Sequence, residues 1–413
     1  MKIIERKSLL LRGLLLVLMP SLLAGCVIGG VKSSIHIATI ESLPDPTPTK
    51  SEVDLLLTQK CLSTTLLTEH KSGSIVYSYG GWQTAILDLS NGMDYPLGET
   101  FPIMAVSPDY QYLAYTTEDP ATLRIVTSFG DTVQTVSIPE DWMGVIQWVD
   151  DEQILIERFL DGPYFQASSI LYNIKTGLYQ EYLPDYPDYQ YFLHPAEDLG
   201  NYSYSRLIFN PQFTRIVYPQ QIVSAEFLML MDTADRQPIL QIRGFISAGA
   251  PQWAKDGSFF ITNLYTDAVN YEQTADDWPY AGGTDLYRIG QDGDIKRLTY
   301  FSNQYHGAFI FLPSLSPDDR YVAFLLSLSD DPANPLFDPK LSILDIETGM
   351  VTNLCLHSSY FQPPIWSSDG EIIIAGAADE SGSAISIVLV DWKKGFMSSI
   401  IWGDGYACGW MEH

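Results

Sequence analysis

Short apolar runs punctuate the chain and break at tight polar turns. Residues 101–116 read FPIMAVSPDYQYLAYT, residues 310–325 IFLPSLSPDDRYVAFL, residues 363–376 PPIWSSDGEIIIAG and residues 251–262 PQWAKDGSFFIT. Weaker copies are VIQWVDDEQILIE at 145–157 and LIFNPQFTRIVYP at 207–219. Each joins a short strand to a β-branched, aromatic one through a turn containing Asp or Pro, the pattern of a hairpin. A second hairpin follows each. Segments 85–97, 170–183, 285–299, 341–354 and 385–401 all set Gly just after a polar pair between two strands. The unit is therefore four antiparallel strands, A to D, recurring every 40–60 residues. That recurrence predicts a β-propeller.

Six complete copies begin near residues 101, 144, 205, 247, 307 and 361. Residues 74–97 supply strands B, C and D of another, and GYACGWMEH at 405–413 supplies its strand A, with Trp410 falling where Trp366, Trp253 and Trp148 fall. The expected fold is all-β: a seven-bladed propeller of four-stranded antiparallel blades over 72–413, closed by the N- and C-terminal strands in one blade. Closure removes the exposed sheet edges that invite pairing with other chains.

The N-terminal segment has a different character. Lys2, Arg6, Lys7 and Arg12 precede an apolar stretch, GLLLVLMPSLLAG, of 13 residues. It is too short to span a bilayer stably and suits the apolar region of a signal peptide. It ends in Leu23-Ala24-Gly25-Cys26, which resembles the lipobox of bacterial lipoproteins. The resemblance implies cleavage before Cys26 and lipid on its sulfur and amino group, so residues 1–25 are expected to be removed and Cys26 to anchor the chain to a membrane. Residues 26–71 read as an extended tether, with three prolines in SLPDPTPTKSE at 42–52. No later segment reaches 18 apolar residues, so the body is expected outside the membrane, at the cell surface or in the periplasm.

Composition narrows the partners. With 50 acidic against 23 basic side chains the net charge is −27. No basic face exists to neutralise phosphates, so a nucleic-acid partner is disfavoured. Phe, Trp and Tyr number 18, 9 and 25, enough for a large core.

Ser107-Pro108-Asp109 with Tyr112-Leu113-Ala114-Tyr115, and Ser316-Pro317-Asp318 with Tyr321-Val322-Ala323-Phe324, resemble the TolB-type propeller repeat. Asp285-Leu286-Tyr287 through Leu298-Thr299 resembles its second hairpin. The resemblance covers about 340 residues, 72–413, and implies architecture. TolB carries an α/β domain before its propeller, for which the tether leaves no room.

No catalytic constellation is legible. A G-x-S-x-G elbow is lacking, since Gly244, Ser247 and Gly249 have the wrong spacing, and the six histidines are scattered. Asp109, Asp318 and Asp369 read as turn residues that accept backbone N–H bonds. The expected function is a non-catalytic binding scaffold for proteins or cell-envelope polymers. The alternative is a carbohydrate-active or other hydrolytic propeller with carboxylates and an Arg converging in its funnel.

Three long connections fall on one face: 184–204, 263–284 and 328–340. Their aromatics, Tyr186, Tyr189, Tyr191, Tyr271, Trp278 and Tyr280, are of types that dominate binding hot spots. Asp267, Asp276, Asp277, Asp330 and Asp331 between them suit a cationic or hydroxyl-rich protein or glycan partner, or bound calcium; the alternative is that these loops simply pack onto the propeller. With Cys26 lipidated, Cys61, Cys355 and Cys408 remain. A Cys61–Cys408 bridge would staple the closing blade; Cys355 is a rival partner, and buried thiols are the alternative.

Overall fold

A computed structural model of the protein describes residues 57–65, 72–80, 83–100, 104–117, 121–139, 142–160, 166–182, 208–222, 225–234, 237–243, 250–265, 283–305, 307–329, 338–358, 362–379, 384–403 and 405–413. These residues form seven sheets, each with four antiparallel strands in meander order from the inside outward. Blade 1 comprises Ala105–Val106, Tyr112–Thr117, Thr122–Thr127 and Thr132–Ser137. Blade 2 comprises Trp142–Trp148, Gln153–Leu160, Gln166–Asn173 and Tyr179–Tyr182. Blade 3 is Ile208–Phe209, Arg215–Ile222, Ala225–Asp232 and Pro238–Arg243. Blade 4 is Gln252–Trp253, Phe259–Tyr265, Thr284–Gly290 and Ile295–Arg297. Gly307–Leu315, Tyr321–Ser329, Lys340–Asp345 and Val351–His357 make blade 5, and Ile365–Trp366, Ile372–Ala378, Ala384–Asp391 and Phe396–Trp402 make blade 6. Blade 7 takes its strand A, Tyr406–Met411, from the C-terminus and strands Ser74–Tyr79, Gln83–Asp88 and Met93–Glu99 from the N-terminal side. The register Ser74↔Met411, Ile75↔Trp410 and Val76↔Gly409 closes the ring as the sequence pattern predicts.

The core lies between blades. Central strands read as unbroken apolar runs because both faces are covered. In blade 5, Val322, Phe324 and Leu326 pack with Ile261 and Leu286 of blade 4. The alternate residues Ala323 and Leu325 pack with Ile373 and Val388 of blade 6. Seven such clusters among the described residues fill the seven junctions, including blade 6 with 7 and blade 7 with 1.

The A–B and C–D turns share one face, here the turn face. The B–C and D–A connections share the other, the loop face.

Residues 57–65, counted with the tether on sequence, lie on the propeller. Leu57–Gln59 adds in parallel to strand D of blade 5, and Ser63–Thr64 adds in parallel to strand D of blade 6. This strap runs along the outer wall, setting Leu57 and Leu62 against the neighbouring core clusters. Its backbone continues the pairing through Lys60 N to Asn353 O at 2.8 Å and Thr65 N to Met397 O at 2.9 Å.

The strap also corrects the cysteine pairing. Cys61 bonds Cys355, with Cα atoms 4.8 Å apart, and Cys408 is a free thiol. Cys61 sits on the strap outside strand D whereas Cys408 is in an innermost strand, four inter-strand spacings of ~4.8 Å away across a blade that carries the strap. A disulfide needs Cα atoms within about 7 Å. Strand D of blade 5 bulges at Cys355, whose backbone is left-handed at φ 57° and whose N–H donates to Asn353 Oδ1 at 2.8 Å.

Candidate functional site

The repeated acidic turn builds the frame. In blade 1, Ser107 Oγ donates to Asp109 Oδ1 at 2.6 Å and accepts from Tyr112 N at 2.9 Å, while Asp109 Oδ1 also accepts from Gln111 N at 3.1 Å. Ser316 with Asp318, and Ser367 with Asp369, repeat this arrangement in blades 5 and 6. The next residue, Tyr110, Asp319 or Gly370, turns the chain at φ 63°, 58° or 68°. These carboxylates satisfy backbone donors that a two-strand corner would otherwise orphan.

The D-L-Y…L-T motif of blade 4 is likewise structural. Asp285 is fully buried and accepts from Arg297 Nη2 at 2.8 Å, Thr299 Oγ1 at 2.7 Å, Phe301 N at 2.8 Å and Ser302 Oγ at 2.6 Å. Burial pushes its carboxyl above the ordinary value, and the Arg297 charge opposes that shift.

Tryptophans at the end of strand A tie blades together. Trp148 Nε1 donates to Ala105 O at 2.9 Å, Trp253 Nε1 to Ile208 O at 3.2 Å and Trp366 Nε1 to Ser314 O at 3.0 Å. Each reaches back to the preceding blade, so blades 1–2, 3–4 and 5–6 are stapled in pairs. The Gln before two of them reaches forward: Gln147 Nε2 donates to Phe209 O at 3.2 Å, and Gln252 Oε1 accepts from Leu315 N at 2.9 Å. A Gln-Trp dipeptide marks two of these ties in the sequence, at 147–148 and 252–253, whereas Trp366 follows Ile365.

The inner strands line an open pocket of about 280 Å³ in the central channel, at its turn-face end. Val106, Gln252, Ser314, Trp366, Cys408 and Trp410 line it, with Tyr110 and prolines 317, 363 and 364. Its polar groups are an amide, hydroxyls and a thiol. The Cys408 thiol is pushed up to about 11 by burial, partly offset by Ser78, whose Oγ is 3.6 Å away. Sequence reasoning named the funnel as an alternative site but none of these lining residues, because the strands that line it are two to nine residues long and contribute one or two side chains each.

The expected binding residues are not among those described. Tyr186, Tyr189 and Tyr191 fall within 183–207; Asp267, Tyr271, Asp276, Asp277, Trp278 and Tyr280 within 266–282; and Asp330 and Asp331 within 330–337. Cys26 also lies outside the described residues. The strand ends that flank these segments, Tyr182, Ile208, Tyr265, Thr284, Ser329 and Lys340, all stand at the loop face. Among the described residues no group of three or more His, Cys, Asp or Glu side chains gathers as a metal site, and no helix is long and apolar enough to cross a membrane.

No protein-family model matches the chain, and no curated protein matches it. Solved structures do. A puromycin hydrolase superposes with TM-score 0.52 at 13% identity, over 83% of this chain and 57% of that one. The likeness is one of fold. Hydrazine synthase of Kuenenia stuttgartiensis aligns at TM-score 0.49 and 11% identity, over 88% of this chain and 99% of that one. TolB from Acinetobacter baumannii aligns at TM-score 0.42 and 16% identity, over 82% of each chain. TolB proteins are thus among the propellers this chain resembles.

Proposed function

We propose that the protein is a lipid-anchored, extracytoplasmic propeller that acts by binding a protein or cell-envelope polymer rather than by catalysis. The observation that carries this reading is the Cys61–Cys355 disulfide. Structural disulfides persist in oxidising compartments outside the cytoplasm. This one fastens the segment that leads from Cys26 to the ring, so lipid, tether, strap and propeller form one mechanical series. The motif carboxylates support the binding role. Asp109, Asp318, Asp369 and Asp285 are engaged in turns and in a buried clasp, leaving the loop face to vary. The partner meets the loop face through Tyr186, Tyr189, Tyr191, Tyr271, Trp278 and Tyr280, with the interleaved aspartates drawing a cationic or hydroxyl-rich ligand or calcium.

Two substitutions test this together. Cys26→Ala should abolish fatty-acid labelling and release the chain from membranes. Trp278→Ala with Tyr271→Ala should cut cross-linking to envelope partners at least tenfold with the melting temperature unchanged. Labelling that survives in Cys26→Ala, or undiminished partner capture, overturns the corresponding half of the reading.

A further inference from the structure

Four C–D turns follow one pattern: two polar residues, a left-handed Gly, then an apolar side chain. They are Gly92-Met93, Gly177-Leu178, Gly349-Met350 and Gly395-Phe396, with glycine φ of 72°, 69°, 72° and 80°. Blade 1 sets Phe129 just before the left-handed Gly130. Glycine takes the φ > 0 position without a side-chain clash, and the residue beside it is turned outward.

Of the eight large apolar side chains exposed among the described residues, six sit at these turns: Met93, Phe129, Leu178, Tyr179, Met350 and Phe396. Leu178 is 71% and Tyr179 62% exposed. Only one of the eight, Tyr79, lies at the loop-face end of its strand. A single exposed apolar residue needs no explanation; recurrence at the C–D turn of five consecutive blades does. The arc runs through blades 5, 6, 7, 1 and 2. The equivalent turns of blades 3 and 4 read Asp-Thr-Ala-Asp-Arg-Gln and Gln-Asp-Gly-Asp.

The lysines of these turns are already paired on the same face: Lys175 with Glu152, Lys393 with Glu371 at 3.9 Å and Lys394 with Asp391 at 3.2 Å. The strap joins this side: Lys60 Nζ donates to the Trp392 and Lys393 carbonyls at 3.0 and 2.6 Å. The tether also arrives here. Leu57 pairs with Val351, the residue after Met350, so the 31-residue run from Cys26 reaches the propeller on the turn face.

We propose that the turn face of this arc rests on a phospholipid bilayer, its six apolar side chains lodged among the headgroups. This rests on the lipid-anchor reading. The anchor sets the local concentration and the tether delivers the turn face first. Shallow insertion of an apolar face among the headgroups is how interfacial surfaces seat. The loop face then points away from the membrane.

The full-length protein, purified from its membranes, is reconstituted in phosphatidylcholine vesicles containing a phosphatidylcholine with a photoactivatable acyl chain. It is then irradiated, floated and mapped by mass spectrometry. Lipid adducts should fall on the peptides bearing Met93, Phe129, Leu178, Met350 and Phe396, at least tenfold above those bearing Tyr79. Met350→Glu with Phe396→Glu should lower adducts at the remaining turns several-fold while the chain still floats and melts as before. Adducts confined to residues 26–56 on a floating chain overturn the resting face and leave the anchor standing. Cross-links between copies in place of lipid adducts overturn it in favour of self-association. A chain that fails to float overturns both readings.

Discussion

Single side chains at the centre of the ring decide how blades are held. The indoles of Trp148, Trp253 and Trp366 each cap a carbonyl of the preceding blade. Trp366→Phe keeps an aromatic ring but strands the Ser314 carbonyl without its donor. A buried group left unpaired costs ~1–3 kcal/mol, so the guanidinium midpoint should fall accordingly; an unchanged midpoint would mean the bond contributes nothing. Cys408 offers a chemical test. Its thiol is pushed up to about 11 by burial, so the reactive thiolate is scarce at neutral pH. Native-state alkylation should quicken about tenfold per pH unit from 8 to 10, where an ordinary thiol levels off near 9. The sign for stability follows. The unfolded chain loses this proton first, so the contribution is full below about 9 and is lost as pH rises through about 11. At this scale the sequence was readable where a residue's role is local. The turn aspartates do what an Asp two residues after Ser does. The Trp ties span neighbouring blades, and only their alignment, not their partners, showed in the chain.

The strap is the element that sequence pattern did not reveal. Leu57–Gln59 and Ser63–Thr64 are too short for an alternating signature, and each is defined by the strand it lies against. Reading Cys61 as a neighbour of Cys408 followed from chain order, because Ser74–Tyr79 enters blade 7 soon afterwards. The chain instead passes along the outer wall of blades 5 and 6 before entering blade 7, which puts Cys355 within reach. Cys355→Ala should lower stability by about 2–4 kcal/mol, the usual contribution of a disulfide. Limited proteolysis should then cut between residues 57 and 65 in the variant and spare the wild type. Equal protection in both would show that strand addition alone holds the strap.

The whole ring is legible from its repeats because each blade is a local meander, and only the last step joins distant chain ends. That step is reinforced beyond the strand pairing. Glu412 N donates to Tyr110 O at 2.8 Å, and Glu412 Oε1 accepts from Trp410 Nε1 at 2.8 Å and from Ser368 Oγ, linking blades 6, 7 and 1. His413 Nε2 meets Ser74 Oγ at 2.8 Å, and its ring lies 4.6 Å from Phe129. Removing residues 412–413 should lower the melting temperature by several degrees. Removing 405–413 deletes strand A of blade 7 and should consume most of a domain stability of ~5–15 kcal/mol. A truncated chain that melts like the intact one would contradict closure by both ends. Such a ring, if tethered as proposed, is a rigid platform whose attachment and binding surfaces occupy opposite faces. Peptide mapping of the unreduced protein recovered from its own membranes tests that account most directly. It predicts a mature chain beginning at an acylated Cys26, together with a peptide pair joined through Cys61 and Cys355. An unmodified peptide spanning Ala24 to Val27, or Cys61 recovered as a free thiol, would contradict it.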